Sequence, residues 1–74
     1  MRYKVGVIIE KDEDGYYAWS PDLQGCQTQG DTLEETLTNM QEAVEVFLEA
    51  LTPEERAECF NKEHLKTAIE VEVA

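Results

Sequence analysis

Residues 14–35, DGYYAWSPDLQGCQTQGDTLEE, decide the fold because they contain two strand patterns, the turn between them and the start of a helix. Residues 16–20 are rich in aromatic side chains, which predicts a short strand. Pro21 has a fixed φ and no amide donor, so residues 20–25 are predicted to form a turn. Residues 26–29 predict the next short strand, which ends where Gly30 and Asp31 lead into the helix.

The segment that follows predicts a long amphipathic helix. Thr32 and Glu35 have the spacing of a capping box, in which the hydroxyl accepts from a backbone amide and the carboxylate reaches back to another. Apolar residues then recur at steps of three and four, which places them in one stripe. The stripe comprises Leu33, Leu37, Met40, Val44, Phe47, Leu48 and Leu51, and the opposite face comprises Glu34, Thr38, Gln41, Glu45 and Glu49.

The segment upstream of the decisive stretch predicts the first strand of a hairpin. Residues 2–10 alternate with a period of two, which places every second side chain on one face. The charged turn at residues 11–15 contains Gly15, which adopts a positive φ without steric cost. We therefore expect an antiparallel hairpin whose buried face carries Tyr3, Val5, Val7 and Ile9.

Two further elements are predicted towards the C-terminus. Thr52 and Pro53 have the types preferred at the N-cap and first turn of a helix, which predicts a short helix to about residue 60. Its inward side chains are expected to be Ala57 and Phe60. Residues 67–73 alternate Ile and Val with Glu, which predicts a half-exposed strand.

These elements predict an α+β fold in the order β-β-β-α-(α)-β. A three-stranded antiparallel meander carries the long helix on one face, and the C-terminal strand returns to the sheet after the short second helix. Residues 1–74 are expected to form a single domain. Because a chain of 74 residues buries a modest core, a self-contained enzyme is disfavoured and assembly into a homo-oligomer is expected to add stability.

The charge is strongly negative and uneven. The net charge is −11, and residues 31–63 hold ten acids against Arg56 and Lys62. Because nucleic-acid affinity comes largely from Lys and Arg, we expect no direct DNA or RNA binding. The charge would steer a basic partner to the surface, although solubility alone explains it equally well.

Compartment and membrane association follow from the apolar runs and the cysteines. The longest apolar run, at residues 7–9, is far too short for a membrane span, and the N-terminus does not resemble a signal peptide. Cys26 and Cys59 lack the close spacing of a metal site or disulfide framework. We expect two reduced thiols, with Cys26 in the core, in a cytoplasmic protein.

Side chains that could carry chemistry do not form a recognisable set. The acids at residues 10–14 are consecutive in a turn and lack the pattern of a calcium loop. His64 is the only histidine and has no nucleophile near it in sequence, and Ser20 lacks a nucleophile motif. We therefore expect no catalytic, cofactor or metal site, and the chain is predicted not to be an enzyme.

The aromatic strand is more informative. Alternation places Tyr16 and Ala18 on one face and Tyr17 and Trp19 on the other. Only one face serves the core, so a domain this small does not easily bury all three rings. Exposed aromatic rings beside acidic groups suit a protein interface, although core packing explains Trp19 alone equally well.

The ordered motifs resemble the HicB-like antitoxin family. The chain shares with it a glycine and aromatic strand and a Pro-Asp-Leu-x-Gly turn at residues 14–26. Residues 30–35 then read Gly-Asp-Thr-Leu-Glu-Glu, and Glu42-Ala43 follow in the helix. The resemblance covers about residues 3–50. It implies the partial RNase H-like fold of that family, which lacks the metal-binding acids of true RNase H enzymes.

The resemblance also implies a function. HicB antitoxins bind a small basic toxin, HicA, which cleaves messenger RNA, and they hide its active surface. Many of them continue into a C-terminal DNA-binding domain, which we expect to be missing from this stand-alone form. The alternative is an oligomeric protein-binding or scaffold domain with no cognate toxin. The expected contact residues are Tyr16, Trp19, Asp22 and Leu23, with the helix acids as steering charge, unless residues 21–25 are only conformational.

Overall fold

The computed structural model describes residues 2–74 and confirms the α+β class. Three antiparallel strands form a sheet in the order β1-β2-β3, so β2 is central and β1 and β3 are edges. The turn between β1 and β2 uses Gly15 at φ 134°, a value that L side chains rarely adopt. The elements are β1 (Ile8–Asp12), β2 (Gly15–Trp19), β3 (Gln27–Gly30), α1 (Leu33–Glu49) and α2 (Pro53–Cys59).

The core lies between one face of the sheet and α1. The helix packs mainly over β3 and, to a lesser extent, over β2. Cys26 is buried as predicted, and the half-buried Phe47 and Leu51 pack against the same cluster. This small core leaves the other face of the sheet uncovered by a helix. The buried apolar side chains are Ala18, Leu23, Cys26, Met40 and Leu48.

Both helices begin at the predicted caps. The Thr32 hydroxyl accepts from the Glu35 amide at 3.0 Å, but the Glu35 carboxylate accepts from the amide of Asp31 instead of that of Thr32. At α2 the box is complete, because Thr52 and Glu55 each accept from the other's amide. The cap hydrogen bonds satisfy amides that the first helical turn leaves without partners.

The inward face of the second helix differs in part from the prediction. Ala57 is exposed, because α2 lies at the border of the core and has no buried residue. Phe60, directly after the helix, is half-buried and stacks on Tyr3 with ring centroids 5.5 Å apart. The second helix is therefore attached to the N-terminal segment through an aromatic pair.

The strands are shorter than the sequence pattern indicates. Residues 2–7 continue the alternation of β1 but have no partner strand, because β2 ends at Trp19 and the chain turns away at Ser20. The helical stripe is also incompletely covered, since Leu33 and Leu37 are exposed. One flank of α1 thus lacks the strand that would bury it.

The predicted C-terminal strand is not formed, and this expectation is corrected. Residues 63–74 adopt neither helix nor strand, and the side chains of Ile69, Val71 and Val73 are 75–91% exposed. Alternation determines which side chains share a face, but a strand also needs hydrogen bonds to a neighbour, and none pairs with this segment in residues 2–74.

Candidate functional site

The two faces of β2 have opposite environments. Ala18 is fully buried under α1, whereas Tyr17 and Trp19 point to the face that the helix leaves open. Their ring centroids lie 5.6 Å apart with the rings tilted by 30°. Tyr17 is 37% exposed, and Trp19 is half-buried. The central strand therefore places two adjacent aromatic rings at the surface.

Neighbouring strands complete this surface, which we call the aromatic face. In the register of the sheet, Trp19 lies between Ile8 and Gln27. Tyr17 likewise lies between Glu10 and Gln29, and its hydroxyl donates to the side-chain oxygen of Gln27 at 2.6 Å. Apolar rings surrounded by amide and carboxylate groups are typical of protein interfaces. The aromatic face comprises Ile8, Glu10, Tyr17, Trp19, Gln27 and Gln29.

Tyr16 lies on the opposite side of the sheet from Trp19. It is half-buried and pairs with Lys11, whose ammonium lies 5.6 Å from the centroid of the ring. This distance permits a cation–π attraction. Of the two aromatic residues expected as contacts, the structure places only Trp19 on the aromatic face.

The turn after β2 is held by its own side chains. The buried Ser20 hydroxyl accepts from the amides of Asp22 and Leu23, each at 3.2 Å. Leu23 is 0% exposed, so it presents no surface to a partner in this conformation. Gly25 takes φ 86°, which glycine adopts without strain. These contacts support the conformational interpretation of residues 21–25.

Asp22 ties the turn to two other segments. One carboxylate oxygen accepts from the Gly6 amide at 2.8 Å, and the other lies 3.5 Å from the ring nitrogen Nε2 of His64. The side chain of Asp22 is only 15% exposed. Asp22 therefore positions the N-terminal segment beside the end of the aromatic face.

The potentially reactive side chains are buried or take part in contacts that hold the fold. Burial raises the pKa of the Cys26 thiol, which keeps it protonated and poorly nucleophilic. The Ser20 hydroxyl is engaged by the turn, and His64 lies against Asp22. Both cysteines are free, as expected, and Cys59 is half-buried. In the part of the chain that the structure describes, no three His, Cys, Asp or Glu side chains converge to hold a metal ion.

Acidic side chains adjoin the aromatic face at the hairpin end, and others cover the outer face of α1 on the far side of the sheet. At the hairpin end, a hollow of about 510 Å³ is lined by the carboxylates of Asp12, Asp14, Asp31 and Glu35. Along α1 the predicted outer face is exposed throughout, including Glu34, Glu45 and Glu49. The aromatic face is thus negative at the hairpin end, and the acids of α1 add to the negative field of the whole molecule.

The alternation of β2 was sufficient to place Tyr17 beside Trp19, and Tyr17 is the residue that the expected contact set lacks. Gln27 and Gln29 had no signal in the sequence, because their position depends on the register across the turn. Within residues 2–74, neither helix has the length and apolar character needed to cross a membrane.

Comparison with known proteins identifies relatives of the whole chain. The family described as "HicB_like antitoxin of bacterial toxin-antitoxin system" matches residues 5–72. A UPF0150 protein of Helicobacter pylori strain J99 is 41% identical over 70 residues, which is 95% of this chain and 97% of that protein.

Similar proteins also occur in Synechocystis and in Thermoplasma acidophilum. A UPF0150 protein of Synechocystis is 47% identical over 53 residues, covering 70% of this chain and 67% of its own length. A UPF0150 protein of Thermoplasma acidophilum is 53% identical over 49 residues, covering 65% and 71% respectively. No solved structure matches the chain significantly.

Proposed function

The chain belongs to the HicB-like antitoxin family, and from this we propose that it binds and masks a small, basic, HicA-type toxin that cleaves messenger RNA. The family match over residues 5–72 carries the proposal, because it spans all the elements of the fold. Masking a toxin requires a contact surface but no catalytic group. This agrees with the structure, in which Ser20, Cys26 and His64 are engaged in structural contacts or buried.

The aromatic face is the proposed contact surface. Trp and Tyr are enriched among the residues that dominate binding energy, and the pair Tyr17–Trp19 lies at the centre of the sheet. Within the expected contact set, Trp19 makes the direct contact and Tyr16 supports the sheet from the other side. Asp22 and Leu23 act by holding the turn that adjoins Trp19.

The negative charge supports the choice of a basic partner. The net charge of −11 favours rapid encounter with a cationic surface and disfavours phosphate backbones. We propose that the carboxylates beside the aromatic face at the hairpin end orient the toxin before the rings make contact. The proposal also places the protein in the cytoplasm, without enzymatic activity and without direct nucleic-acid binding; the free cysteines fit a reducing compartment.

The test uses a purified HicA-type toxin, the small basic partner that the proposal requires. Purified chain and toxin should form a complex, messenger-RNA cleavage by the toxin should stop, and association should weaken as salt screens the charges. Trp19→Ala should restore messenger-RNA cleavage by the toxin, whereas Leu65→Ala, at an 84% exposed side chain that is not part of the aromatic face, should not. Absence of a complex, or full inhibition by Trp19→Ala, would contradict the proposal.

A second candidate is a stand-alone oligomeric protein-binding or scaffold domain with no cognate toxin. The observation that favours it is the exposed apolar side chains of residues 65–73, which a homo-oligomer would cover. The same experiment separates the two functions, because a scaffold domain would leave messenger-RNA cleavage by the toxin unchanged.

A further inference from the structure

An open groove runs along the free edge of the sheet. It lies between the N-terminal segment and one flank of α1, has a volume of about 800 Å³ and has a mostly apolar floor. Because α1 packs over β2 and β3, the groove occupies the place of a strand beyond β1. The apolar side chains that line it are Tyr3, Val5, Val7, Leu37, Met40, Val44 and Leu48.

The backbone beside this groove has an edge that no other strand of residues 2–74 pairs with. β1 is an edge strand, and residues 2–7 continue its alternation without a partner strand. An unpaired edge exposes a row of amide and carbonyl groups that recruits another strand. One extended segment with apolar side chains on one side would therefore fit both the groove and the edge.

The C-terminal segment has this pattern. Ile69, Val71 and Val73 alternate with Glu70 and Glu72, and the three apolar side chains are 75–91% exposed. Residues 67–73 and residues 3–9 are equal in length, about 23 Å each when extended. If residues 67–73 lay along the edge, one face would fill the groove and the other would carry the two glutamates.

The charges of the N-terminal and C-terminal segments are complementary on the face opposite the groove. Residues 2–11 contain three of the six cations of this acidic chain and one acid. Lys4 alternates with the groove-lining Tyr3 and Val5, so it lies on the face opposite the groove, whereas Arg2 lines the groove itself. A C-terminal segment paired at this edge would place its glutamates on that same face. Opposite charges on one face of paired strands stabilise the pairing.

The segment does not fill the groove of its own chain. His64 lies against Asp22, and residues 62 and 64–67 line a second hollow with Gly6, Val7 and Ile8, which adjoins the groove at Val7. Beyond Thr67 the chain leads away, and the molecule reaches 49 Å in its longest direction. The radius of gyration is 14.7 Å, against about 11 Å for a compact domain of this length.

We propose that the C-terminal segment of a second copy adds as a strand at the free edge of β1, filling the groove with Ile69, Val71 and Val73. A two-fold arrangement exchanges both segments and leaves neither groove empty, as in domain swapping. The proposal concerns self-association and does not depend on a toxin.

The test combines light scattering with NMR on the full chain. A mixed sample of differently isotope-labelled copies should be dimeric and should show contacts between the methyls of Val71 in one copy and those of the groove-lining Val5 or Val7 in the other. Val71→Asp should raise the dimer dissociation constant by at least about tenfold. The matched control is Val46→Asp, at an exposed valine of α1 outside the groove, which should remain dimeric.

A charge exchange provides a second, independent variant. Lys4→Glu should weaken the dimer, and adding Glu70→Lys to the same chain should restore it. Circular dichroism should show the native helix content in every variant, because residues 67–74, Lys4 and Val46 all lie outside the core. A monomeric chain, contacts found only within one copy, or a Val71→Asp dimer as stable as the original would each overturn the proposal.

Discussion

Leu23→Ala separates a structural role of the turn from a role in direct contact. Leu23 is 0% exposed and, with Met40, is one of the two largest fully buried apolar side chains of residues 2–74. Truncation of a buried leucine to alanine costs about 2–5 kcal/mol, because the lost contacts leave a cavity. A domain of this length has a stability of only about 4–11 kcal/mol, so this variant should lose a large share of it.

The assay is thermal unfolding followed by circular dichroism. A loss of about 2 kcal/mol lowers the midpoint by at least about 8 °C in a domain of this size. Leu23→Met keeps the volume and should cost less than about 1.5 kcal/mol. Leu65→Ala, at an exposed position, should leave the midpoint almost unchanged. If Leu23→Ala unfolded at the same temperature as Leu65→Ala, the buried role of Leu23 would be refuted.

Three other predictions concern the helix starts and the core. Gly30→Ala should lower stability by about 1–3 kcal/mol in urea titration, because the added Cβ would lie 2.9 Å from the backbone nitrogen of Thr36. Hydrogen bonds from Thr52 lower the pKa of Glu55 below its ordinary 4.5, so its contribution to stability is present above pH 4.5 and should be lost as the pH falls further. Cys26 should react with iodoacetamide more slowly than the half-buried second thiol, because burial raises the pKa of Cys26. Peptide mapping by mass spectrometry measures the two rates.

Each of these predictions has a matched control. A Cβ at Gly25 meets open space, so Gly25→Ala should cost only the strain of its positive φ, about 1–2 kcal/mol. Glu55→Gln should flatten the acid limb of the stability profile, whereas Glu54→Gln should not, since Glu54 shares the first turn but takes no part in the capping box. Equal alkylation rates for Cys26 and Cys59 in the folded chain would contradict the burial argument.

Local signals in the sequence were sufficient to predict the five elements that the structure contains in residues 2–74 and part of the core. The cap at Thr32, the cap at Thr52 and the buried position of Cys26 follow from residue types and spacing, and the structure confirms them. These features depend on contacts within a few residues or on one periodic face. For the same reason, alternation correctly separated Tyr17 and Trp19 from Ala18.

The alternation of apolar and polar residues did not predict which strands pair when they lie far apart in the sequence. Residues 2–7 and 67–73 both alternate as strands do, but neither has a partner in the single chain. The roles of Asp22 and Leu23 depend on the fold of the turn, where Gly6 and Ser20 meet them. A polar residue in a turn looks like an exposed contact in sequence, although here its carboxylate is used internally.

The dissociation constant of the complex with the HicA-type toxin, measured by calorimetry for the original chain and for Trp19→Ala, tests the proposed function most directly. Truncation of a central aromatic contact costs at least about 2 kcal/mol, so the dissociation constant should rise by at least about thirtyfold. Leu65→Ala should bind as the original chain does. A Trp19→Ala chain that is folded and binds with unchanged affinity would contradict the proposal that the aromatic face covers the toxin.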